Sequence, residues 1–319
     1  MNRELCMNML VPQRLKKRDL IGIICPASPV HDPSRIERGV RYLEGLGYRT
    51  KIGRNASARM GYLAGTDDER AEDLHAMFND KNVRGIFCAR GGYGTPRLLS
   101  RIDYRLIARN PKILVGYSDV TALALALWRK CRLVTYHGPM LAVDLGADVN
   151  PYAEESLWRI LTSPAGHMTL AVAGESPAGV RHPGTATGRL LGGNLSLLVS
   201  LLGTPYMPDL RRGILFLEEI GEDPYRVDRM LTHLGNAGIL SRLSGVAMGH
   251  FTDCVPRDPA TPTLPLEAIM AGFAENTGKP FLTGFPFGHE KHMVTVPVGI
   301  RARLDAGKGV ITLLEPATA

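Results

Sequence analysis

A serine at the junction of a buried strand and an apolar helix is the first place in this 319-residue chain where residue type and spacing point to chemistry. The run Ile113-Leu-Val-Gly-Tyr-Ser-Asp-Val-Thr-Ala-Leu reads as a short strand that turns at Gly116 and Tyr117 and enters a helix from Val120 to Trp128. On so tight a turn Ser118 projects its hydroxyl out of the sheet, and the unpaired N–H groups of the helix start favour negative charge developing beside it. That is the geometry of a nucleophile elbow. It departs from G-x-S-x-G in having Val120 where the second glycine would stand. Helix capping by Ser118 or Asp119 is the competing explanation of the same residues.

A second turn, Arg90-Gly-Gly-Tyr-Gly-Thr-Pro, follows a buried run from Val83 to Ala89, with Thr95 and Pro96 placed as N-cap and first residue of another helix. Glycines at 91, 92 and 94 let the backbone turn sharply and aim N–H groups at a ligand. The lysine and hydroxyl of a P-loop are missing, as is G-x-G-x-x-G spacing, so an oxyanion hole beside Ser118 fits better than a nucleotide loop. A serine hydroxyl also needs a base. Of nine histidines, His31, His75, His167 and His182 fall in polar loops or on a helix, whereas His137 ends a buried strand and His289 follows one. Glu218 and Glu219 end the apolar run Leu215-Phe-Leu, where a carboxylate can orient a base or bind a ligand.

These groups need elements to hold them. Strand-like and helix-like runs alternate from residue 20: Leu20–Cys25, a helix opened by a Ser34/Glu37 capping box, another opened by Thr66/Glu69 and running to about Phe78, then Val83–Ala89 and Lys112–Tyr117. The pattern predicts an α/β fold: an N-terminal parallel-sheet, flavodoxin-like domain over 10–145 carrying the elbow, a connecting segment over 146–186, and a C-terminal mixed α/β domain, rich in β, over 187–319. Ligands bind such sheets at the carboxyl ends of the strands, where both turns lie. The connecting segment holds a short helix, Glu154–Leu161, and a strand, Met168–Val172. The C-terminal domain starts at Gly188–Leu191, continues through a helix Leu195–Leu202 and strands near Gly213–Leu217, Gly245–Gly249 and Leu282–Phe285, and ends in an alternating hairpin or sheet edge over Val294–Leu314.

Composition narrows the function classes. Apolar residues at 45% and charged residues at 22% describe a globular chain and exclude low-complexity readings. No apolar run reaches the ~20 residues that span a bilayer, and the first 20 residues lack an apolar core with a cleavage site, so no membrane partner and a cytoplasmic location are expected. Five scattered cysteines (Cys6, Cys25, Cys88, Cys131, Cys254) form no CxxC pair and predict free thiols, with no metal and no cofactor. The net charge of +7 is concentrated at the start, where Arg3, Arg14, Lys16, Lys17 and Arg18 face only Glu4 and Asp19. The remainder forms no basic stripe, so nucleic acid is not expected as a partner.

Seven segments in order carry a resemblance: Leu10-Val-Pro-Gln-Arg-Leu-Lys-Lys-Arg-Asp-Leu-Ile-Gly-Ile-Ile-Cys-Pro-Ala-Ser, Arg90-Gly-Gly-Tyr-Gly, Gly116-Tyr-Ser-Asp-Val-Thr-Ala-Leu, Tyr136-His-Gly-Pro, Gly188-Arg-Leu-Leu-Gly-Gly-Asn-Leu, Leu217-Glu-Glu-Ile-Gly-Glu-Asp-Pro-Tyr-Arg-Val-Asp-Arg-Met-Leu and Gly284-Phe-Pro-Phe-Gly-His. Over nearly the whole chain from about residue 10 the sequence resembles the LD-carboxypeptidases, serine peptidases of bacterial cell-wall recycling that release D-alanine from the murein tetrapeptide L-Ala-γ-D-Glu-meso-diaminopimelate-D-Ala. The resemblance implies Ser118 as nucleophile, His289 as general base and Glu218 as the group that orients it, with backbone N–H groups of Gly92 and Asp119 holding the oxyanion. Alternation along a strand sends Glu218 and Glu219 to opposite faces, so one alone faces the site. Arg90 and Asn194 are expected to contact the terminal carboxylate or the stem, with structural hydrogen bonding in a turn as the alternative for both. The resemblance also implies a homodimer.

Two other readings compete. A microcin C immunity peptidase uses the same triad on aminoacyl or peptidyl nucleotides and stacks the base on tryptophans of a longer connecting loop. Here the only tryptophans are Trp128, on the helix after the elbow, and Trp158. A non-catalytic amide- or nucleotide-binding module would explain Gly91–Gly94 and leave Ser118, Glu218 and His289 together by coincidence.

Overall fold

A computed structural model describes residues 8–163, 166–170, 179–258 and 260–319. Cys6, Arg3 and Glu4 lie outside the described residues, as do residues 171 and 172 of the strand expected from Met168. The first half alternates β1 (Leu20–Ile24), α1 (Ser34–Gly45), β2 (Arg49–Ile52), α2 (Asp67–Asn79), β3 (Val83–Cys88), α3 (Tyr104–Arg109), β4 (Ile113–Val115), α4 (Val120–Cys131) and β5 (Thr135–His137). Their strands pair in parallel in the order β2-β1-β3-β4-β5, the flavodoxin-like order. Every residue of β4 is buried, as an apolar strand covered on both faces requires.

The chain continues through α5 (Pro151–Thr162), β6 (Met168–Leu170), β7 (Gly179–His182), β8 (Thr185–Asn194), α6 (Leu195–Ser200), β9 (Ile214–Ile220), α7 (Pro224–Asn236), β10 (Gly245–Thr252), α8 (Leu266–Thr277), β11 (Phe281–Thr283), β12 (Val296–Val298), β13 (Arg301–Asp305) and β14 (Val310–Leu313). A second sheet runs β6-β14-β13-β8-β9-β10-β11-β7, parallel from β8 to β11 and antiparallel on both flanks. This is the mixed, β-rich second layer.

Three local expectations need correction. Ser34 begins α1 without capping it: its hydroxyl and its N–H both turn back to Asp32, and Pro33 is the N-cap. Thr95 is the first residue of a 3₁₀ turn, not its cap, because Gly94 holds the cap position and the Thr95 hydroxyl donates to the Asp119 carbonyl. The terminal hairpin is β13 and β14 alone. β12 crosses to the first sheet and pairs antiparallel with β5, Val296 opposite His137, where Pro297 is tolerated on an edge strand. The Thr66/Glu69 capping box on α2 is present in both directions.

Two features join the halves. Helix α4 is buried from Val120 to Trp128, the expectation for a helix apolar on all sides, because α6 and β8 cover the face that the first sheet does not. At its end the Trp128 ring is met by the guanidinium groups of Arg132 and Arg189, 5.3 and 5.5 Å from its centroid, and Arg189 is paired with Glu315 at 2.7 Å. Cys25, Cys88, Cys131 and Cys254 are buried free thiols.

Candidate active site

Ser118 adopts φ +60°, a left-handed conformation that a residue with a side chain takes only at some cost. It lies in the four-residue connection between the end of β4 at Val115 and the start of α4 at Val120. Asp119 does not cap the helix with its side chain, which removes the capping explanation for that residue. The carboxylate is instead fully buried and accepts the Thr95 N–H at 2.7 Å, tying the elbow to the end of the glycine turn. Burial pushes this carboxyl up to about 6, against the lowering effect of hydrogen bonds from Thr95 and the Gly94 N–H.

The glycine turn packs directly on the serine. A Cβ on Gly91 would stand 3.0 Å from Ser118 Cβ, 3.2 Å from its Oγ and 3.5 Å from the Asp119 nitrogen. Glycine therefore leaves open the space beside both the hydroxyl and the first N–H of the elbow. Gly92 follows at φ +103°, and the next N–H, of Tyr93, donates to Ser28 Oγ at 3.1 Å. Arg90 donates to the Pro29 carbonyl at 2.9 Å, so part of its guanidinium serves the loop after β1.

One residue missed by sequence reasoning holds these loops together. Arg70 of α2 is 1% exposed and donates to the carbonyls of Pro26 (2.6 Å) and Gly94 (2.9 Å), while pairing with Asp67. Its signal was available: Arg70 lies four residues before Leu74 and seven before Met77, on the buried face of the helix.

The second domain supplies a histidine–carboxylate pair. His289 Nδ1 is 2.7 Å from Oε2 of Glu218, which lies near the end of β9 with no solvent exposure. The Tyr117 ring meets the imidazole edge-on with centroids 5.0 Å apart, setting His289 against the residue that precedes Ser118. Desolvation tends to lower the His289 pKa. The hydrogen bond and charge of Glu218, with the charges of Glu219 and Asp144, outweigh it and hold the group above its ordinary value. With Nδ1 bound to the carboxylate, Nε2 is the nitrogen left for proton transfer.

The alternatives are engaged elsewhere. Glu219 accepts from Asn194 Nδ2 (2.7 Å), the Ser196 N–H (2.8 Å) and hydroxyl (2.6 Å), and the Ile220 N–H (2.9 Å). Asn194 also caps α6 by accepting the Leu197 N–H, and its own N–H donates to the Thr121 hydroxyl. It is 3% exposed, so its side chain is part of the framework and the expectation of a substrate contact gives way to the structural one. His137 is buried against Phe216 and Tyr117, and burial together with the charge of His289 pushes it down to about 3, so it is a neutral wall. Asp144, which the sequence did not single out, receives the Met140 N–H at 2.7 Å and the Tyr117 hydroxyl at 3.4 Å, and burial pushes it up to about 6.

A strained serine on a strand-to-helix turn, glycine-shaped space beside it and a histidine–carboxylate pair supplied by the second domain are the parts that a serine-type α/β hydrolase requires. Residues 21–138 match the LD-carboxypeptidase N-terminal domain and residues 187–304 the LD-carboxypeptidase C-terminal domain. The chain belongs to the LD-carboxypeptidase family and is a hydrolase of carboxypeptidase type. It is 42% identical over 298 residues to the probable murein peptide carboxypeptidase of Bacillus subtilis, covering 93% of this chain and 92% of that one. Among solved structures it is similar to muramoyltetrapeptide carboxypeptidase from Oxalobacter formigenes (33% identity, TM-score 0.82, 92% and 97% covered). It is also similar to the wild-type apo form of the microcin C7 self-immunity protein MccF of Escherichia coli (26% identity, TM-score 0.89, 97% and 100% covered).

Proposed function

We propose that the protein is a serine-type LD-carboxypeptidase that releases the terminal D-alanine of murein tetrapeptide in peptidoglycan recycling. Ser118 attacks the carbonyl carbon of the scissile amide while His289 Nε2 takes its proton, and Glu218 holds the imidazole and stabilises the imidazolium that forms. The N–H groups of Gly92 and Asp119 receive the developing oxyanion. His289 then protonates the leaving D-alanine nitrogen, and water, deprotonated by the same imidazole, hydrolyses the acyl-enzyme. The observation that carries this reading is the buried Glu218–His289 pair set by Tyr117 beside the strained Ser118.

The likeness to MccF favours a second reading, hydrolysis of aminoacyl or peptidyl nucleotides. The tryptophans argue against it. Trp128 is 2% exposed, and Trp158 is stacked on Tyr48 (5.0 Å) and Phe87 (6.1 Å) with its N–H on the Tyr42 hydroxyl (2.7 Å), so neither offers a free face to a nucleobase. Side-by-side rates on murein tetrapeptide and an aminoacyl-sulfamoyl adenosine decide the matter: tetrapeptide is expected to be the better substrate by at least about tenfold in kcat/KM, and the reverse order selects the second reading. ATP binding with turnover of neither substrate selects the binding module. Among the described residues no helix is long and apolar enough to cross a membrane; the cytoplasmic location is proposed from the family resemblance alone. The homodimer rests on the family resemblance and is tested by light scattering.

A further inference from the structure

The helix that follows the nucleophile is docked on the second domain through a buried hydroxyl. Thr121, the second residue of α4, is 2% exposed. Its N–H donates to the Ser118 carbonyl at 2.9 Å, which ties it to the elbow, and its Oγ1 accepts the N–H of Asn194, at the end of β8, at 3.1 Å.

The opposing strand is shaped for this approach. Gly193 has φ +129°, and a Cβ there would lie 2.5 Å from Thr121 Oγ1 and 2.8 Å from its Cγ2, so β8 comes this close to the helix only because the residue is glycine. Asn194 is itself held in place: its amide donates to Glu219 at 2.7 Å and its side-chain oxygen accepts the Leu197 N–H at 3.2 Å. Across the sheet Asn194 stands opposite Glu218. A continuous series of fixed links therefore runs from Ser118 through Thr121, Asn194 and Glu218 to His289.

A nucleophile and a base carried on separate domains keep their spacing only if the junction sets it. Apolar packing around α4 is non-directional and lets the helix slide. A hydrogen bond weakens steeply outside a narrow range of distance and angle, and a buried N–H left without its acceptor is costly, so this contact has one preferred geometry. We infer that Thr121 is a positioning residue whose hydroxyl oxygen, by holding the backbone of Asn194, sets the distance between Ser118 on the first domain and the Glu218–His289 pair on the second. The inference rests on the triad reading above and adds what keeps its two halves in register.

The test measures kcat, KM and melting temperature for Thr121→Val, Thr121→Cys, Thr121→Ser and Arg189→Met, on whichever of murein tetrapeptide and aminoacyl-sulfamoyl adenosine the wild type turns over. Thr121→Val keeps the shape and removes the acceptor, so kcat is expected to fall about 10- to 100-fold with KM unchanged, the cost of misplacing a reacting group by the order of an ångström. Thr121→Ser restores the acceptor and with it kcat, and Thr121→Cys, a weak acceptor, falls between the two. The graded order keeps the test open should Thr121→Val fail to fold. Arg189→Met breaks a different domain contact, with Glu315 and Trp128, about 10 Å further along α4. It is expected to lower the melting temperature and leave kcat within about twofold of wild type.

A Thr121→Val protein that melts earlier with wild-type kcat would overturn the positioning role, as would Thr121→Ser no faster than Thr121→Cys, or an equal loss of kcat in Arg189→Met. Turnover of the nucleotide alone would overturn the peptidase reading and leave this comparison intact. Turnover of neither substrate would overturn the triad and the role of Thr121 with it.

Discussion

Nδ1 of His289 lies 2.7 Å from Oε2 of Glu218, and the carboxylate it meets has no contact with solvent. The second oxygen, Oε1, has no hydrogen-bond partner among the described residues, so the imidazole N–H is a principal compensation for burying that charge. Gly288, at φ +97°, makes the approach possible: a Cβ there would come within 2.5 Å of Glu218 Cγ. The pair is thus assembled by the strand end and by the loop that returns to it.

Glu218→Gln is expected to lower kcat about 10³–10⁴-fold, the loss seen when a triad acid can no longer hold the imidazole tautomer. Glu219→Gln replaces one of two oxygens that between them accept four hydrogen bonds within the C-terminal domain, so its effect falls on stability, about 1–3 kcal/mol, with kcat changed only a few-fold. Steady-state kinetics and denaturant melts of the two variants separate the roles. A catalytic collapse in Glu219→Gln with Glu218→Gln active would reverse the assignment.

Gly91→Ala places a methyl group 3.2 Å from Ser118 Oγ without forcing an unfavourable φ. The expected result is a folded protein with kcat down about 10²-fold, comparable to losing one oxyanion donor. Unchanged kcat in this variant would show that the space beside the serine is not where the oxyanion forms.

The pH profile follows from the direction of the His289 shift. The base acts when neutral, so a pKa held above 6.5 puts the acid limb of kcat/KM above pH 6.5, and Asp144→Asn, by removing one nearby charge, moves that limb down. For stability the sign is that of a raised folded-state pKa: the contribution is complete below the unfolded value near 6.5 and is lost as pH rises through the folded value. The difference in melting temperature between wild type and Glu218→Gln is therefore expected to be larger at about pH 6 than at about pH 9. An acid limb below pH 6.5 would contradict the account.

Trp158→Phe keeps the stacking on Tyr48 and loses the bond to Tyr42, so a stability loss of about 1 kcal/mol with unchanged tetrapeptide kinetics is expected. A large rise in KM for either substrate class would show that this ring contacts ligand.

Much of the site was legible because its signals are local. A glycine and a serine between an apolar strand and an apolar helix leave few backbone solutions, and alternation along β9 separates Glu218 from Glu219 without knowledge of the fold. What escaped depended on distant partners. The three residues Val296-Pro-Val alternate equally well in either sheet, and only the open edge of β5 takes them. Ser34 and Thr95 carry good capping side chains, but Asp32 and the Asp119 carbonyl compete for them. Asn194 resembled a ligand contact because nothing near it in sequence shows that Glu219 and Thr121 claim it. Asp144 sits in the π-helical turn Leu141–Leu145, whose sequence has no marker, yet it accepts the hydroxyl of Tyr117, whose ring lies against His289.

The central claim is that Ser118 performs the hydrolysis of an amide ending in D-alanine. Mass-spectrometric product analysis of murein tetrapeptide incubated with the wild-type chain and with Ser118→Ala addresses it most directly. Stoichiometric tripeptide and free D-alanine are expected from the wild type, with a loss of at least about 10³-fold in rate for Ser118→Ala. Absence of D-alanine from the wild-type reaction, or undiminished release by Ser118→Ala, would contradict the claim.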